Sequence, residues 1–364
     1  MNFTRVTNFM ESLKNIGVAG ADLAIYLKGC EVYRHQVGYA DIEAKAPITK
    51  DTLFAIWSMT KVVTCVAALR LLEEGRFLLA DPIGDYMPEF RNMTYKNDAG
   101  EVVPCTRPIR VVDLFTMSSG VSYDAPTDLS LCTDLTKFAD AISKETLHFE
   151  PGTRWRYGYS HDILGALIER ITGKKVSEYF HDEIFAPLGM NDTFFRQYIS
   201  AENAARLANV YNYNTETCTH SKADHAVWGF ENCGGGLVSS VADYAKFAGA
   251  LCNHGIATCG YRLLSKGTIE LMRTNHLCDT RMGDYNWDSH SGYGYGLGVR
   301  TLIDKAMSGM NANIGEYGWA GFLGTYFAID PAAELTYVYA HQLMPSMEGH
   351  IAPRLKNIIY ACIE

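Results

Sequence analysis

Ser58-Met59-Thr60-Lys61 places a hydroxyl and an amine three residues apart at the opening of an apolar helical run. Residues three apart on a helix share a face. A serine hydroxyl with a proton acceptor beside it is a nucleophile. No other Ser-x-x-Lys occurs in the chain. The pattern is short, and serine is a favoured helix N-cap in any case, so its weight depends on what accompanies it. Cys65 falls one turn beyond Lys61 on the same face and reads as packing beneath the site.

The elements that must hold this pair can be read from either side of it. Residues 21–29 and 31–39 read as two strands turning at Gly29-Cys30. The run Val62, Val63, Val66, Leu69, Leu72 gives the helix opened by Ser58 an apolar body, and Gly75 ends it. Between there and about residue 290 the chain reads as helices and long loops, with helical stretches at 135–145, 162–172, 176–186, 241–253 and 265–274. Strand texture returns at 293–302, 314–320, 322–330 and 334–342, and 348–363 suggests a closing helix. The expected architecture is α/β plus all-α. A mostly antiparallel sheet is built from both chain ends (1–75 with 291–364) and flanked by helices, and a helical domain (76–290) is inserted between them. A site would lie in the crevice between the two.

Composition narrows the function classes. Hydrophobic residues make up 48% and charged residues 20%, as in an ordinary globular protein. The formal net charge of -9 argues against nucleic acid and against an anionic membrane surface. The stretch 1–17 has apolar residues at helical spacing, interrupted throughout by polar ones, so it does not read as a secretory leader. Ten cysteines form no Cys-x-x-Cys pair, which favours reduced thiols and a cytoplasmic address over a disulfide or zinc framework. His220 and His225 sit in a polar stretch without a convincing third ligand, so no metal is expected, and no phosphate-loop pattern follows the glycines at 234–236. No cofactor is expected, and the sequence leaves the oligomeric state open.

Two further segments give the Ser-x-x-Lys pair its company. Trp155-Arg156-Tyr157-Gly158-Tyr159-Ser160 lies about a hundred residues downstream, and Trp319-Ala320-Gly321 is followed by Phe322-Leu323-Gly324-Thr325. In this order they resemble the three motifs of the serine β-lactamase-like (penicillin-binding-protein-like) hydrolases. That superfamily spans class C β-lactamases, DD-peptidases, D-aminopeptidases, family VIII esterases, nylon-oligomer hydrolases and related acyltransferases. Asp113–Gly120, Gly234–Ser240 with Asp243-Tyr244, and Gly294–Gly298 resemble further segments, so the likeness covers roughly residues 50–345. Trp-x-Gly in place of Lys-Thr-Gly, with Asp162-Ile163-Leu164-Gly165, points to the class C-related, family VIII esterase branch.

The resemblance implies the β-lactamase/transpeptidase-like fold and assigns roles. Ser58 would form an acyl-enzyme. Lys61, with a pKa depressed by burial, would relay protons with Tyr157. The backbone N–H groups of Ser58 and Phe322 would form the oxyanion hole. Tyr159, Trp319, Ala320 and Gly321 would line the substrate site. Tyr159 stands where class C enzymes have asparagine, and Trp319 where they have lysine, which leaves fewer polar anchors and suits an ester or amide with an apolar flank. The expected activity is therefore hydrolysis of small carboxylic esters or amides. A β-lactamase or D-amino-acid peptidase, an acyltransferase, and a non-catalytic sensor on the same scaffold are the alternatives.

Overall fold

The computed structural model describes residues 1–124, 128–224 and 227–363. Its centre is an eight-stranded antiparallel sheet whose strands come from the two ends of the chain. From the first end come β1 (Gly20–Leu27), β2 (Cys30–Asp41) and β3 (Ala46–Pro47). From the other come β4 (Tyr293–Tyr295), β5 (Arg300–Leu302), β6 (Tyr317–Ala320), β7 (Tyr326–Asp330) and β8 (Leu335–His341). The order across the sheet is β4-β5-β6-β7-β8-β1-β2-β3, so β1 and β8 join the two ends of the chain through seven residue pairs, Ala21↔His341 to Leu27↔Leu335.

Both faces are covered, which explains why β7 and β8 are buried at every position rather than alternately. Adjacent residues of β7 show the two layers. Phe327 meets Tyr244 of the helix α4 (Val241–Cys252), with ring centroids 5.0 Å apart. Tyr326, pointing the other way, faces Lys356 of the closing helix α5 (Glu348–Ile363). The first helix, α1 (Thr4–Ser12), packs beside α5.

Helix α2 (Thr60–Glu73) follows Ser58 and is buried at every position from Thr60 to Leu69, so it is a central strut rather than a surface helix. It packs against α3 (Ser160–Thr172), which Gly173 ends in a left-handed C-cap.

The expectation that 76–290 holds only helices and loops is corrected by several short strands. Thr94–Lys96 pairs with Val102–Pro104, and Val210–Asn214 pairs with Thr219–Ala223. Leu237–Ser240 runs between Leu53–Ala55 and Phe194–Phe195. Strands of two to five residues contain too few alternations to stand out against loop sequence. The stretch 293–302 is likewise two strands, broken where Gly298 adopts φ +88°. A Cβ there would come within 2.3 Å of Cys65 Sγ, so the turn can press onto α2 only as glycine.

Candidate active site

Ser58 sits in a single 3-10 turn, Trp57–Met59, that leads into α2. The turn is held from several directions. Strand Leu53–Ala55 is paired to Leu237–Ser240, and Ile56 N–H continues that ladder to Leu237 O. Thr325 Oγ1 donates to Ile56 O at 3.0 Å, and Tyr244 OH donates to Met59 O at 3.0 Å. Trp57 lies at φ +46°, an uncommon region for a bulky residue that persists only where the surroundings impose it. Gly321, at the end of β6, approaches so closely that a Cβ would lie 2.4 Å from Ile56 O. The third motif is thus packed directly onto the turn that carries the serine.

Lys61 is buried, and its three ammonium hydrogens have three acceptors. These are Ser58 Oγ at 3.2 Å, Tyr123 OH at 2.9 Å and Gly234 O at 2.5 Å. The Tyr157 ring lies 4.7 Å from Nζ, presenting its face to the cation. The Tyr157 hydroxyl itself accepts from Trp319 Nε1 at 3.1 Å. The phenol hydrogen-bonded to Lys61 is therefore Tyr123, which lies outside the three motifs.

The expected depression of the Lys61 pKa is also corrected. Burial pulls it down, but the oxygens of Tyr123 and Tyr157 and the carboxylate of Asp162 outweigh burial and move it above its ordinary value. Tyr123 moves up too, because burial of its hydroxyl outweighs the pull of Lys61. Asp162, fully buried on α3, is pushed up to about 6 by burial against the opposing pull of Lys61. Its Oδ1 accepts Gly234 N–H at 2.9 Å, and its Oδ2 makes no hydrogen bond among the described residues. Gly234 thus links the two charges, donating to Asp162 and accepting from Lys61.

These groups border a cavity of about 680 Å³. Ser58, Tyr123, Tyr157, Tyr159, Trp319, Ala320, Gly321 and Phe322 all line it. Every site residue that the resemblance named, except Lys61, therefore borders one space, and Lys61 is hydrogen-bonded to Ser58. Tyr159 forms an aromatic wall, edge-on to Tyr123 at 4.6 Å. Trp319 is buried between Tyr157, Tyr295 and His290, so it both packs and lines. The backbone N–H groups of Ser58 and Phe322 have no acceptor among the described residues. Cys65 is buried against His161, whose Nε2 lies 3.5 Å from its sulfur, and burial pushes the thiol well up. It is not poised as a nucleophile.

A family model described as Beta-lactamase matches residues 5–360. The chain belongs to that family. Among curated relatives of this β-lactamase-family protein, Protein Rv1367c of Mycobacterium tuberculosis is 31% identical over 359 residues, covering 91% of this chain and 87% of that one. Esterase EstB of Burkholderia gladioli is 26% identical over 378 residues, covering 97% and 93%. The solved structure of EstCE1, "a hydrolase with promiscuous acyltransferase activity", superposes with a TM-score of 0.84 at 22% identity, covering 98% of this chain and 97% of that one. The β-lactamase/transpeptidase-like fold expected from the motifs is the fold this family member has.

The structure adds residues that the motifs did not name. Tyr123 follows Ser118-Ser119-Gly120 by three residues, a spacing that could have marked it. Asn232, His290, Arg300 and Glu348 also line the cavity, so it is less bare of polar groups than the loss of lysine and asparagine from the motifs implied. Of the two histidines weighed for metal, His220 bonds Gly17 O at 2.7 Å, and His225 lies outside the described residues. Among the described residues, no three His, Cys, Asp or Glu side chains are grouped to hold a metal ion. No described helix is long and apolar enough to cross a membrane, and no disulfide forms among the described residues.

Proposed function

We propose that the protein is a serine hydrolase that cleaves small carboxylic esters or amides through an acyl-Ser58 intermediate. The observation that carries this reading is the contact of Ser58 Oγ with Lys61 Nζ at 3.2 Å, in the wall of a largely aromatic cavity with two unengaged N–H donors beside it. With Lys61 and Tyr123 both shifted upward, the resting site holds an ammonium and a neutral phenol. The reactive form is the one from which this hydrogen-bonded pair has lost a single proton, shared along the 2.9 Å contact.

In that form Ser58 gives its proton to the Lys61–Tyr123 pair as Oγ bonds to the carbonyl carbon. The carbonyl oxygen takes the negative charge between the Ser58 and Phe322 N–H groups, each such donor being worth ~2.7–4 kcal/mol of barrier. Tyr157 OH accepts from Trp319, so its own hydrogen remains available to the leaving group as the C–O or C–N bond breaks. The Ser58 proton, held on the pair, then restores Tyr157. Water repeats the sequence on the acyl-enzyme. An alcohol admitted in place of water would give acyl transfer, a second reading favoured by the aromatic rim of Trp57, Trp228, Trp287 and Phe322.

The same proposal divides the chain into a sheet unit (1–75 with 291–364) and an intervening unit (76–290), with the cavity at their seam. It places the protein in the cytoplasm, where the exposed thiols of Cys30, Cys218 and Cys259 stay reduced. The test is turnover of 4-nitrophenyl acetate and butyrate, with the acyl adduct located by mass spectrometry. Ser58→Ala is expected to remove both. Nitrocefin turned over faster than either ester would replace this reading with a β-lactamase.

A further inference from the structure

Asn232 borders the Ser58 cavity and has no part in the proposed reaction. It is 5% exposed, and its side-chain amide makes no hydrogen bond among the described residues. A buried polar group without a partner is unfavourable, and here the partner has to come from inside the cavity. The backbone around Asn232 is fixed. Asn232 O accepts Gly236 N–H at 2.7 Å, Cys233 O accepts from Thr64 Oγ1 at 2.9 Å, and Leu237 N–H donates to Thr60 Oγ1 at 3.1 Å. The segment is clamped to α2, which holds the amide at the cavity wall.

The cavity has two aromatic walls. Tyr157 contacts Trp287 and Trp319, with ring centroids 5.3 and 5.8 Å apart. Trp57 contacts Trp228 and Phe322, each at 5.4 Å. Among the described residues no ring contact joins the two sets. Gly235 ties Asn232 to the second wall, because a Cβ there would lie 3.3 Å from Asn232 Oδ1 and 3.7 Å from Trp57 Cε3. The missing side chain leaves a space with an amide on one side and an indole on the other. In the proposed reaction Tyr157 meets the leaving group, so the leaving group lies along the first wall. The acyl chain then lies along the second, against Trp57 and Asn232.

A single asparagine in an aromatic wall discriminates among polar groups. A trans amide points its N–H and C=O in opposite directions, so one Asn side chain pairs with only one of them. A hydroxyl carries donor and acceptor on one atom and is satisfied by one Asn alone. We propose that Asn232, with Trp57 and Gly235, forms an acyl-chain subsite for a hydroxyl group, so that the substrate is an ester or amide of a hydroxy acid. The proposal rests on the serine-hydrolase reading, because it names the substrate class of that same site.

The experiment uses 4-nitrophenyl esters in isosteric pairs, 2-hydroxybutanoate against 2-methylbutanoate and 3-hydroxybutanoate against 3-methylbutanoate. Each kcat/KM is divided by the uncatalysed hydrolysis rate of the same ester, which removes the electron-withdrawing effect of the hydroxyl. For at least one pair the hydroxy ester should lead by ~10-fold or more, because the methyl analogue leaves the Asn232 amide unpaired. Asn232→Leu should bring that ratio close to one. Because Asn232→Leu alters a buried position and can fail to fold, Gly235→Ala is the second arm. Its methyl enters the space between Asn232 and Trp57 and should lower kcat/KM for the preferred hydroxy ester relative to 4-nitrophenyl acetate, whose acyl group is too short to reach there. An unchanged ratio in Gly235→Ala counts against the subsite. Turnover with no hydroxyl preference in either pair overturns the subsite and leaves the hydrolase reading standing. A larger preference for the 4-nitrophenyl ester of N-acetylglycine, lost in Asn232→Leu, would assign Asn232 to an amide and also overturn the proposal. No turnover and no acyl adduct overturns the hydrolase reading. Calorimetry of the intact esters on Ser58→Ala then decides the subsite, tighter binding of the hydroxy member supporting it and equal binding overturning it.

Discussion

Lys61 and Lys356 are both 1% exposed, yet their surroundings differ in kind. Lys356, between the sheet and the closing helix, has a carboxylate in direct contact, Glu316 at 2.8 Å, and donates to Tyr293 OH. Lys61 has no carboxylate within 4 Å among the described residues. Its partners are a serine hydroxyl, a phenol and a carbonyl, while the charge of Asp162 acts from behind Gly234. An ion pair fixes both charges, and removing one partner strands the other. A cation whose direct contacts are all neutral can lose its proton without stranding a carboxylate in contact with it. Lys356 is built to stay charged, and Lys61 is built to exchange.

The sharpest way to break this contrast is to replace each lysine with methionine. Lys61→Met is expected to lower kcat on a neutral 4-nitrophenyl ester by ~10²–10⁴-fold, the range of general acid–base catalysis. Lys356→Met should instead lower unfolding free energy by ~3–5 kcal/mol, because Glu316 is left buried and unpaired. Pairing it with Glu316→Leu should recover much of that loss. Denaturant titrations beside initial rates per folded molecule would separate the two effects. A Lys61→Met protein that unfolds more easily than Lys356→Met while keeping its rate would reverse the assignment.

Asp162 sharpens the comparison through pH. Its carboxyl stands at about 6 in the fold, against an ordinary 3.8, so between those values the folded chain holds more protons than the unfolded one. Stability therefore falls as pH rises through that window, and ionised Asp162 costs the fold ~3 kcal/mol at neutral pH. Asp162→Asn, whose amide oxygen can still accept Gly234 N–H, is expected to flatten this dependence and to raise stability at pH 7. It should also move the alkaline rise of kcat/KM to lower pH, since the Lys61–Tyr123 pair loses a negative charge that holds its proton. Melting temperature between pH 4 and 8 tests the first claim, and a variant as pH-dependent as the parent would refute it.

Catalysis should run the other way. If the reactive form is the Lys61–Tyr123 pair short of one proton, kcat/KM must rise with pH into the alkaline range, because both groups lie above their ordinary values. Tyr123→Phe removes the shared acceptor and should lower kcat by ~10–100-fold while changing the shape of that profile. An unchanged profile would move the relay to Tyr157.

These distinctions were only partly legible in the sequence. Ser58 and Lys61 could be paired because three residues on one helix fix their relation, and β1 and β2 could be read because a short turn joins them. Trp319 and Tyr157 were placed by chain order within a resemblance, which gives position without orientation. That the Tyr157 hydroxyl turns to Trp319 while Tyr123 takes Lys61 depends on a contact between residues 62 apart in sequence. Arg300 read as one charge in a strand, and only the order of strands across the sheet brings it to the cavity. The direction of the Lys61 shift was misread because burial was visible from the apolar run, whereas the oxygens around it were not. Short strands such as Thr219–Ala223 escaped because their exposed, polar residues carry no buried face to reveal the period.

The smallest effect tests how the two lysines' aromatic neighbours differ. Tyr293, beside Lys356, has its hydroxyl bound within an ion pair, while among the described residues the oxygen of Tyr157, beside Lys61, is bound only by the Trp319 indole N–H. Removing that one donor should loosen the orientation of the phenol without disturbing Lys61 or Ser58. Trp319→Phe keeps an aromatic ring in contact with His290 and Tyr295 and deletes the N–H. A neutral hydrogen bond is worth ~1 kcal/mol, so kcat is expected to fall about fivefold with KM for a neutral ester nearly unchanged. A loss confined to KM would mean that the indole serves the substrate directly, and the Tyr157 hydroxyl would then need no help from Trp319 to reach the leaving group.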